Sequence, residues 1–134
     1  MYLVDTSVWI NFFKAIPNPA VERLKTLLRT GVDIGICTTI LQEILQGTAD
    51  PQQFAKYRRY FETQPIYLPP DPVKAAIAAA QMYHSCCRQG ITVRSSNDCL
   101  IAHVAMDNGL ILLHDDEDFR RIRNVVTELK ETSN

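Results

Sequence analysis

The chain opens with the stretch Tyr2-Leu3-Val4-Asp5-Thr6-Ser7, in which three β-prone apolar residues precede an acid and two hydroxyl residues. Apolar residues resume at helical spacing from Val8, so Asp5 is predicted to lie where a buried strand changes into a helix. Thr6 or Ser7 is predicted to cap that helix. Ligands of open parallel α/β sheets bind at the carboxyl ends of the strands, which makes Asp5 a candidate site residue. Taken alone, the stretch is equally typical of an ordinary helix start.

The same order of residues occurs again near the C terminus. Leu110 to Leu113 is predicted to be a buried strand, and the acidic segment His114-Asp115-Asp116-Glu117-Asp118-Phe119 follows it. Two strands that both end in acids indicate one shared site if the strands are neighbours in the sheet. The pattern leaves open which of Asp115, Asp116 and Asp118 contributes most to that site.

Short apolar runs alternate with helical patterns along the rest of the chain. Strands are predicted at 34–37 and 66–68, a last strand is predicted at Val125-Val126, and the tail from Lys130 is predicted to fray. Helices are predicted near 8–13, 21–31, 38–47, 50–61, 71–88, 95–109 and 120–123. Thr38 or Thr39 is predicted to cap the third helix. No hairpin turn joins two strands, so the sequence predicts an α/β fold with a parallel sheet and helices on both faces.

The composition is that of an ordinary globular protein. The chain has 134 residues, of which 46% are hydrophobic and 22% are charged, and it is predicted to form a single domain over residues 1–134. With 14 basic and 15 acidic residues the net charge is -1. A protein without an overall basic field is not expected to package DNA, but it can meet RNA through a local patch. The candidate cations for such a patch are Lys14, Arg88, Arg94 and Arg120.

The cysteines and the absence of long apolar runs bear on the compartment. Cys37, Cys86, Cys87 and Cys99 lack the spacing of zinc ligands, and we expect reduced, mostly packed thiols. No signal-peptide pattern opens the chain, and no apolar run approaches the roughly 20 residues that span a bilayer. The sequence therefore predicts a cytoplasmic protein that does not contact a membrane.

Two further acids lie near predicted helix starts. Glu43 is at the rim of the apolar face formed by Ile40 and Ile44, where a surface glutamate is the ordinary alternative. Asp98 is in the first turn of its helix, where an acid also serves as a cap. If these acids face the same crevice as Asp5, they repel one another and favour binding of a divalent cation. A site of oxygen ligands suits Mg²⁺ or Mn²⁺ better than zinc, and it is typical of phosphoryl transfer to water.

Four segments together resemble the signature segments of PIN-domain ribonucleases, and more closely those of VapC-type toxins of VapBC toxin–antitoxin modules. The segments are Val4-Asp5-Thr6-Ser7-Val8-Trp9-Ile10, Gln42-Glu43-Ile44-Leu45-Gln46-Gly47, Asn97-Asp98-Cys99-Leu100-Ile101-Ala102 and His114-Asp115-Asp116-Glu117-Asp118-Phe119. The resemblance covers nearly the whole chain and implies a three-layer α/β/α sandwich with a central parallel sheet. It also implies Mg²⁺- or Mn²⁺-dependent endoribonuclease activity, a homodimer, and inhibition by a cognate VapB-type antitoxin.

The resemblance also implies a set of site residues. The family's four metal-binding acids fall on Asp5, Glu43, Asp98 and Asp116. Asp118 matches an accessory acid, and Ser7 matches a small hydroxyl residue beside the site. The family often has Thr, Ser or Asn where this chain has His114, so a contact to metal-bound water is either replaced by imidazole or lost.

The hypothesis that follows is hydrolysis of an RNA phosphodiester by an activated water. Asp5, Asp98 and Asp116 bind one or two metal ions. Glu43 completes a second metal site or holds the attacking water. The aromatic stripe from Phe54 to Phe61 is the candidate surface for antitoxin contact.

Three alternative functions remain open. The chain can be a housekeeping PIN nuclease of RNA processing without an antitoxin, or a non-catalytic RNA-binding PIN module. A receiver-like domain that is phosphorylated on Asp is less consistent with the sequence. Such a domain requires adjacent acids after the first strand and a lysine after a late one, whereas Thr6 follows Asp5 and acids follow Leu113.

Overall fold

A computed structural model describes residues 1–134 as a parallel sheet wrapped by helices. The strands are β1 (Tyr2–Val4), β2 (Ile34–Cys37), β3 (Ile66–Tyr67), β4 (Ile111–Leu113) and β5 (Glu131–Thr132). The helices are α1 (Thr6–Phe13), α2 (Pro19–Thr30), α3 (Thr38–Gln46), α4 (Pro51–Glu62), α5 (Pro72–Arg88), α6 (Ser96–Asp107) and α7 (Glu117–Val125). No helix is long and apolar enough to cross a membrane.

The sheet has five parallel strands in the order β3-β2-β1-β4-β5. The central strand is β1, with β2 and then β3 on one side of it and β4 and then β5 on the other. With right-handed crossovers, this order places α1 to α4 on one face and α5 to α7 on the other. Contacts of α1 with α2 and α3, of α3 with α4, and of α5 with α6 and α7 agree with that division. The predicted three-layer α/β/α sandwich is confirmed.

The two central strands are buried on both faces. Side chains of successive strand residues point to opposite faces, and Leu3, Val4, Leu112 and Leu113 are all fully buried. Helices therefore cover both sides of the sheet, as the continuous apolar runs predicted. The carboxyl ends of β1 and β4 lie side by side, because Val4 pairs with Leu113.

The last strand does not lie where the sequence predicted it. Val125 ends α7, and the chain then forms β5 from Glu131 and Thr132. This strand is held by backbone hydrogen bonds, from Leu112 N to the Lys130 carbonyl at 2.9 Å and from His114 N to the Thr132 carbonyl at 3.0 Å. The prediction of a frayed tail is wrong for the same reason. A polar two-residue edge strand gives no apolar signal in the sequence.

Two helix caps also differ from the prediction. The N-cap of α1 is Asp5, whose carboxylate accepts a hydrogen bond from the Ser7 backbone N–H, and neither Thr6 nor Ser7 takes that role. The N-cap of α3 is Cys37, without a side-chain hydrogen bond, and not Thr38 or Thr39. In both places the strand passes directly into the helix. The cap of α1 is therefore the residue that follows β1, and the cap of α3 is the last residue of β2.

The aromatic stripe of α4 is mostly part of the core. Phe61 packs edge-on against Trp9 with ring centroids 5.0 Å apart, and Tyr57 stacks on Phe13 at 4.3 Å. These contacts join α4 to α1. Of the stripe, Phe54 remains exposed, with 41% of its surface accessible. Any partner that contacts this stripe therefore meets Phe54 and not its whole length.

We predict that Gly35→Ala destabilises the fold. A Cβ at Gly35 would lie 2.5 Å from the carbonyl oxygen of Pro65, which precedes β3, and 2.6 Å from the ring of Tyr67 in β3. Such overpacking costs about 1–3 kcal/mol of the free energy of unfolding. Urea unfolding of the purified protein measures the change.

Gly47→Ala is the matched control. Its added Cβ would meet nothing closer than 3.4 Å, and its φ of -85° suits any residue. Reduced entropy of the unfolded chain is expected to raise its stability by about 0.4–1 kcal/mol. A Gly35→Ala protein as stable as the Gly47→Ala protein would contradict the close approach of β3 to β2.

Candidate functional site

Asp5 lies at the carboxyl end of β1, next to the end of β4. Its backbone N–H donates to the Leu113 carbonyl at 2.9 Å, so the acid is placed by the sheet itself. The residue is almost fully buried. Burial raises the pKa of its carboxyl group, although hydrogen bonds from Ser7 oppose this shift. Asp5 is thus both an N-cap and a buried acid at the point where the strand order reverses direction, which is where ligands bind in open α/β sheets.

Ser7 connects the ends of the two central strands. Its hydroxyl donates to Asp5 Oδ2 at 2.6 Å, and its backbone N–H donates to the same oxygen at 3.0 Å. The hydroxyl oxygen also accepts a hydrogen bond from the Asp115 backbone N–H at 3.0 Å. Ser7 therefore fixes the orientation of Asp5 and leaves Asp5 Oδ1 without a donor.

Glu43 reaches the site from α3, on the other side of β1. The Thr6 hydroxyl donates to Glu43 Oε1 at 3.2 Å, and Oε2 has no hydrogen-bond donor. Burial, followed by the charge of Asp5, raises the pKa of Glu43. The side chain is half-buried, which agrees with the predicted position at the rim of the apolar face.

Asp98 is the most perturbed acid of the site. It lies in the first turn of α6 and is only 6% exposed, because Cys99, Ile101 and Ala102 anchor this helix in the core. No hydrogen-bond donor meets its carboxylate. Burial, followed by the charges of Asp5 and neighbouring acids, raises the pKa of Asp98 to about 8. A buried carboxylate without a donor is costly unless a cation approaches it.

Asp116 and Asp118 differ in how many of their oxygens are free. One carboxylate oxygen from each of them and from Asp98 lie within 4.8 Å of one another. Asp116 Oδ1 accepts hydrogen bonds from the Asp118 backbone N–H at 3.0 Å and from Arg94 Nη2 at 2.9 Å, and its Oδ2 remains free. Both oxygens of Asp118 are occupied, by the backbone N–H and Nε of Arg94 and by Nη1 of Arg121 at 2.8 Å.

The hydrogen bonds of Asp118 outweigh its burial. Burial raises the pKa of this carboxyl group, but the bonds from Arg94 and Arg121 lower it below the ordinary value. Asp118 is therefore a charged, fully buried anchor for Arg94. One of its oxygens lies within 4.8 Å of oxygens of Asp98 and Asp116, but both of its oxygens already accept hydrogen bonds, so Asp118 is less available to a cation than Asp116.

The side chains of Asp115 and His114 make no hydrogen bond to the four carboxylates. Asp115 is exposed, and its Oδ2 accepts hydrogen bonds from Asn11 at 3.2 Å and Asn18 at 3.1 Å. The buried His114 accepts the Asp116 backbone N–H at Nδ1, 3.1 Å away, so Nε2 carries the proton and donates to Glu131 at 2.6 Å. Of the two alternatives for His114, imidazole does not replace the missing hydroxyl contact, since both ring nitrogens are occupied.

The structure brings together the four acids selected from the sequence. Each keeps at least one oxygen without a hydrogen-bond donor, namely Asp5 Oδ1, Glu43 Oε2, both oxygens of Asp98, and Asp116 Oδ2. The charges of neighbouring acids raise the pKa values of Glu43 and Asp98, which is the electrostatic condition under which a divalent cation binds. The donor set is all oxygen, which fits Mg²⁺ or Mn²⁺.

Two contacts of the site were missed by the sequence interpretation. Thr6 was considered only as a cap, but its hydroxyl holds Glu43, which is 37 residues away along the chain. Arg94 was one of four candidate cations, and the structure alone shows that it touches two site acids. No local pattern carries either signal, because each pair is formed by tertiary packing.

The other three candidate cations lie outside the cluster. Lys14 is exposed at the end of α1, Arg88 donates to Ser85 on α5, and Arg120 pairs with Glu117 on α7. None of them contacts one of the four acids. Arg94 is therefore the candidate that the structure separates from the rest.

Comparison with known proteins identifies the family. The sequence model of the PIN domain matches residues 2–125. This chain belongs to the PIN-domain family. Ribonuclease VapC11 of Mycobacterium tuberculosis and a VapC ribonuclease of Mycobacterium bovis are each 37% identical to it over 126 residues, which is 93% of either chain, so the PIN domain is of the VapC type.

A solved structure shares the fold of this PIN domain. The structure of VapBC2 from Rickettsia felis, bound to a DNA fragment from its promoter, contains a chain that superposes with a TM-score of 0.73 at 19% identity. The superposition covers 98% of this chain and 96% of that one. At this level of identity the likeness extends to the fold alone.

We predict that the metal-free protein loses stability as the pH rises from about 5 to about 8. The folded protein keeps a proton on Asp98 up to a pKa of about 8, whereas the unfolded chain releases it near the ordinary value of 3.8. The folded state therefore binds more protons in this window, and the free energy of unfolding falls with rising pH. Thermal unfolding in EDTA across this range measures the effect.

Asp98→Asn is the control for that experiment, because it keeps the shape of the side chain and removes the titrating group. Its unfolding temperature is expected to depend less on pH, with the residual slope coming from Asp5 and Glu43, whose pKa values are also raised. Mg²⁺ is expected to stabilise the wild type more at pH 8 than at pH 6, since it favours the charged acids. Identical pH profiles for the two proteins would refute the role of Asp98.

Proposed function

We propose that this protein is a metal-dependent endoribonuclease and the toxin of a type II toxin–antitoxin module. The observation that carries the proposal is the buried, donor-free carboxylate of Asp98 among Asp5, Glu43 and Asp116, at the ends of two adjacent parallel strands. The relatives that are 37% identical carry the name ribonuclease. The name of these relatives and the cluster of acids therefore both support metal-dependent cleavage of RNA.

The residues present fit a divalent cation. Asp5, Asp98 and Asp116 would hold one or two ions of Mg²⁺ or Mn²⁺ through the oxygens that lack a hydrogen-bond donor. A bound cation of this kind lowers the pKa of a water and offsets negative charge on the phosphate. Asp118, which matches the family's accessory acid, supports the site indirectly through Arg94.

The remaining residues orient these acids and the water. Ser7 holds Asp5 by two hydrogen bonds to one oxygen, so the other oxygen points to a fixed place. Glu43 has a raised pKa and a free Oε2, which suit it to complete a second metal site or to hold the attacking water. In-line attack by that water on phosphorus breaks the bond to the 3′-oxygen and leaves a 5′-phosphate and a 3′-hydroxyl.

The proposed assembly is a homodimer that a VapB-type antitoxin inhibits. Residues 1–134 form one PIN domain in this proposal, since a single apolar core joins both helical layers through the sheet. The R. felis structure is described as a VapBC complex, which favours an antitoxin partner over the alternative of a housekeeping nuclease. A non-catalytic RNA-binding module is less consistent with the structure, because all four acids are kept and converge.

The candidate antitoxin surface is the α3–α4 groove. Leu41 and Leu45 from α3, Phe54 and Phe61 from α4, and Ile66 from β3 line it, with Arg58 and Glu62 at its edge. Five of its seven lining residues are hydrophobic, which suits the apolar face of an amphipathic segment. Phe54 is its exposed aromatic residue.

We predict that Asp5→Asn reduces RNA cleavage by at least about 100-fold, because it removes a charge needed for the cation while keeping the side-chain volume. Purified wild type and variant are incubated with total cellular RNA in Mg²⁺ or in EDTA. Discrete fragments are expected only from the wild type in Mg²⁺. Calorimetric titration with Mn²⁺ is expected to show weaker binding to the variant.

Asp115→Asn is the matched control, since it makes the same chemical change on an acid that faces Asn11 and Asn18. Its activity is expected to stay within about threefold of the wild type. Equal cleavage by the Asp5→Asn protein and the wild type would refute the site assignment. Cleavage that persists in EDTA would refute the metal requirement.

We predict that Phe54→Ala raises the dissociation constant for the cognate antitoxin by about tenfold or more, because truncating an exposed aromatic anchor typically costs over 1 kcal/mol. Val73→Ala, an exposed apolar residue on α5, is expected to bind like the wild type. Calorimetry of the purified pair measures both constants. Unchanged affinity of the Phe54→Ala protein would exclude the groove as the antitoxin surface.

A further inference from the structure

Arg94 occupies a defined position at the edge of the acid cluster. Its backbone N–H donates to Asp118 Oδ2 at 3.1 Å, its Nε donates to the same oxygen at 3.2 Å, and its Nη2 donates to Asp116 Oδ1 at 2.9 Å. These bonds fix both the backbone and the plane of the guanidinium group. The residue lies between α5 and α6, in the segment that leads into the helix of Asp98.

Most of the guanidinium group's hydrogen-bonding capacity remains free. A guanidinium has five N–H donors, and the bonds to Asp116 and Asp118 use only two of them. The Arg94 side chain is 66% exposed, so the free donors face solvent beside the acids. A planar fork with fixed orientation and open donors matches the geometry of a phosphate group.

The structure does not need the charge of Arg94 to hold this segment in place. The backbone N–H of Arg94 already anchors the segment to Asp118, and it remains after any substitution of the side chain except by proline. Asp118 also has a second cationic partner in Arg121, at 2.8 Å. Asp118 therefore keeps a cationic partner when the side chain of Arg94 is replaced.

Arg94 and Arg121 differ in one respect that bears on catalysis. Arg94 also contacts Asp116, one of the acids of the proposed cation site, whereas Arg121 contacts Asp118 alone. The five carboxylates still outnumber the two guanidinium groups, so the site keeps its negative charge for a metal ion. Because only Arg94 contacts Asp116, it is the arginine better placed to meet a phosphate bound at that acid.

We propose that Arg94 donates hydrogen bonds to a non-bridging oxygen of the scissile RNA phosphate and stabilises the negative charge that develops during cleavage. This inference rests on the proposed ribonuclease function and makes Arg94 a catalytic residue. The bonds to Asp116 and Asp118 orient the guanidinium group before RNA binds. Preoriented donors of this kind contribute most in the transition state.

The test compares Arg94→Gln and Arg94→Lys with Arg121→Gln in the full chain. Arg121→Gln also removes one positive charge and one hydrogen bond to Asp118, but it leaves the contacts of Asp116 unchanged. Single-turnover cleavage at saturating RNA and Mg²⁺ gives the rate, and calorimetry with Mn²⁺ reports whether the acids remain organised. RNA binding is measured at several salt concentrations in the cleavage-deficient Asp5→Asn background.

Arg94→Gln is expected to lower the single-turnover rate by about 100-fold, the typical loss for one preoriented transition-state donor. Arg94→Lys is expected to recover about tenfold of this, because it restores the charge without the planar fork. Arg121→Gln is expected to remain within about threefold of the wild type. For a single strand, Arg94→Gln is expected to reduce the salt slope of RNA binding by about 0.7, the value for one lost phosphate contact.

Each other outcome overturns a specific part of the inference. Equal rates and salt slopes for Arg94→Gln and Arg121→Gln, with an active wild type, would reject the phosphate contact and leave the ribonuclease function intact. Loss of Mn²⁺ binding together with cleavage would show that Arg94 only organises the acids. A wild type that neither cleaves nor binds RNA would reject the proposed function, and the role of Arg94 with it.

Discussion

Repulsion among carboxylates is the constraint on which the rest of this structure depends. Four acids with free oxygens meet at the ends of adjacent parallel strands, and burial raises the pKa of Asp98 to about 8. Such a cluster destabilises the folded state, so the surrounding core has to supply the stability that the cluster lacks. The fully buried central strands provide this stability. Three hydrogen bonds then orient the acids, from Ser7 to Asp5, from Thr6 to Glu43 and from Arg94 to Asp116.

Much of this arrangement was predictable because it depends on strand ends. An apolar run followed by an acid marked both Asp5 and the segment after β4, and a parallel sheet places such ends at one edge. Glu43 and Asp98 were less certain from the residues, since a rim glutamate and a first-turn aspartate are common in ordinary helices. The resemblance to PIN-domain ribonucleases selected them, and their convergence in the structure agrees with that selection.

Features that depend on tertiary contacts could not be predicted. The separate roles of Asp115, Asp116 and Asp118 follow from which donors reach each carboxylate. These donors come from α1, the N-cap of α2, the segment before α6, and α7. The edge strand β5 is polar, so its only signal is backbone pairing with β4. The helix caps were misplaced because Asp5 and Cys37 follow their strands without an intervening loop.

The strand order determines the point during synthesis at which the acid cluster can assemble. The first strand to leave the ribosome, β1, is central, and its neighbour β4 is among the last segments to be made. More than one hundred residues are translated between Asp5 and Asp116. An N-terminal folding intermediate therefore lacks the complete set of acids. The complete set of acids therefore comes together only after β4 has paired with β1, when nearly the whole chain has been synthesised.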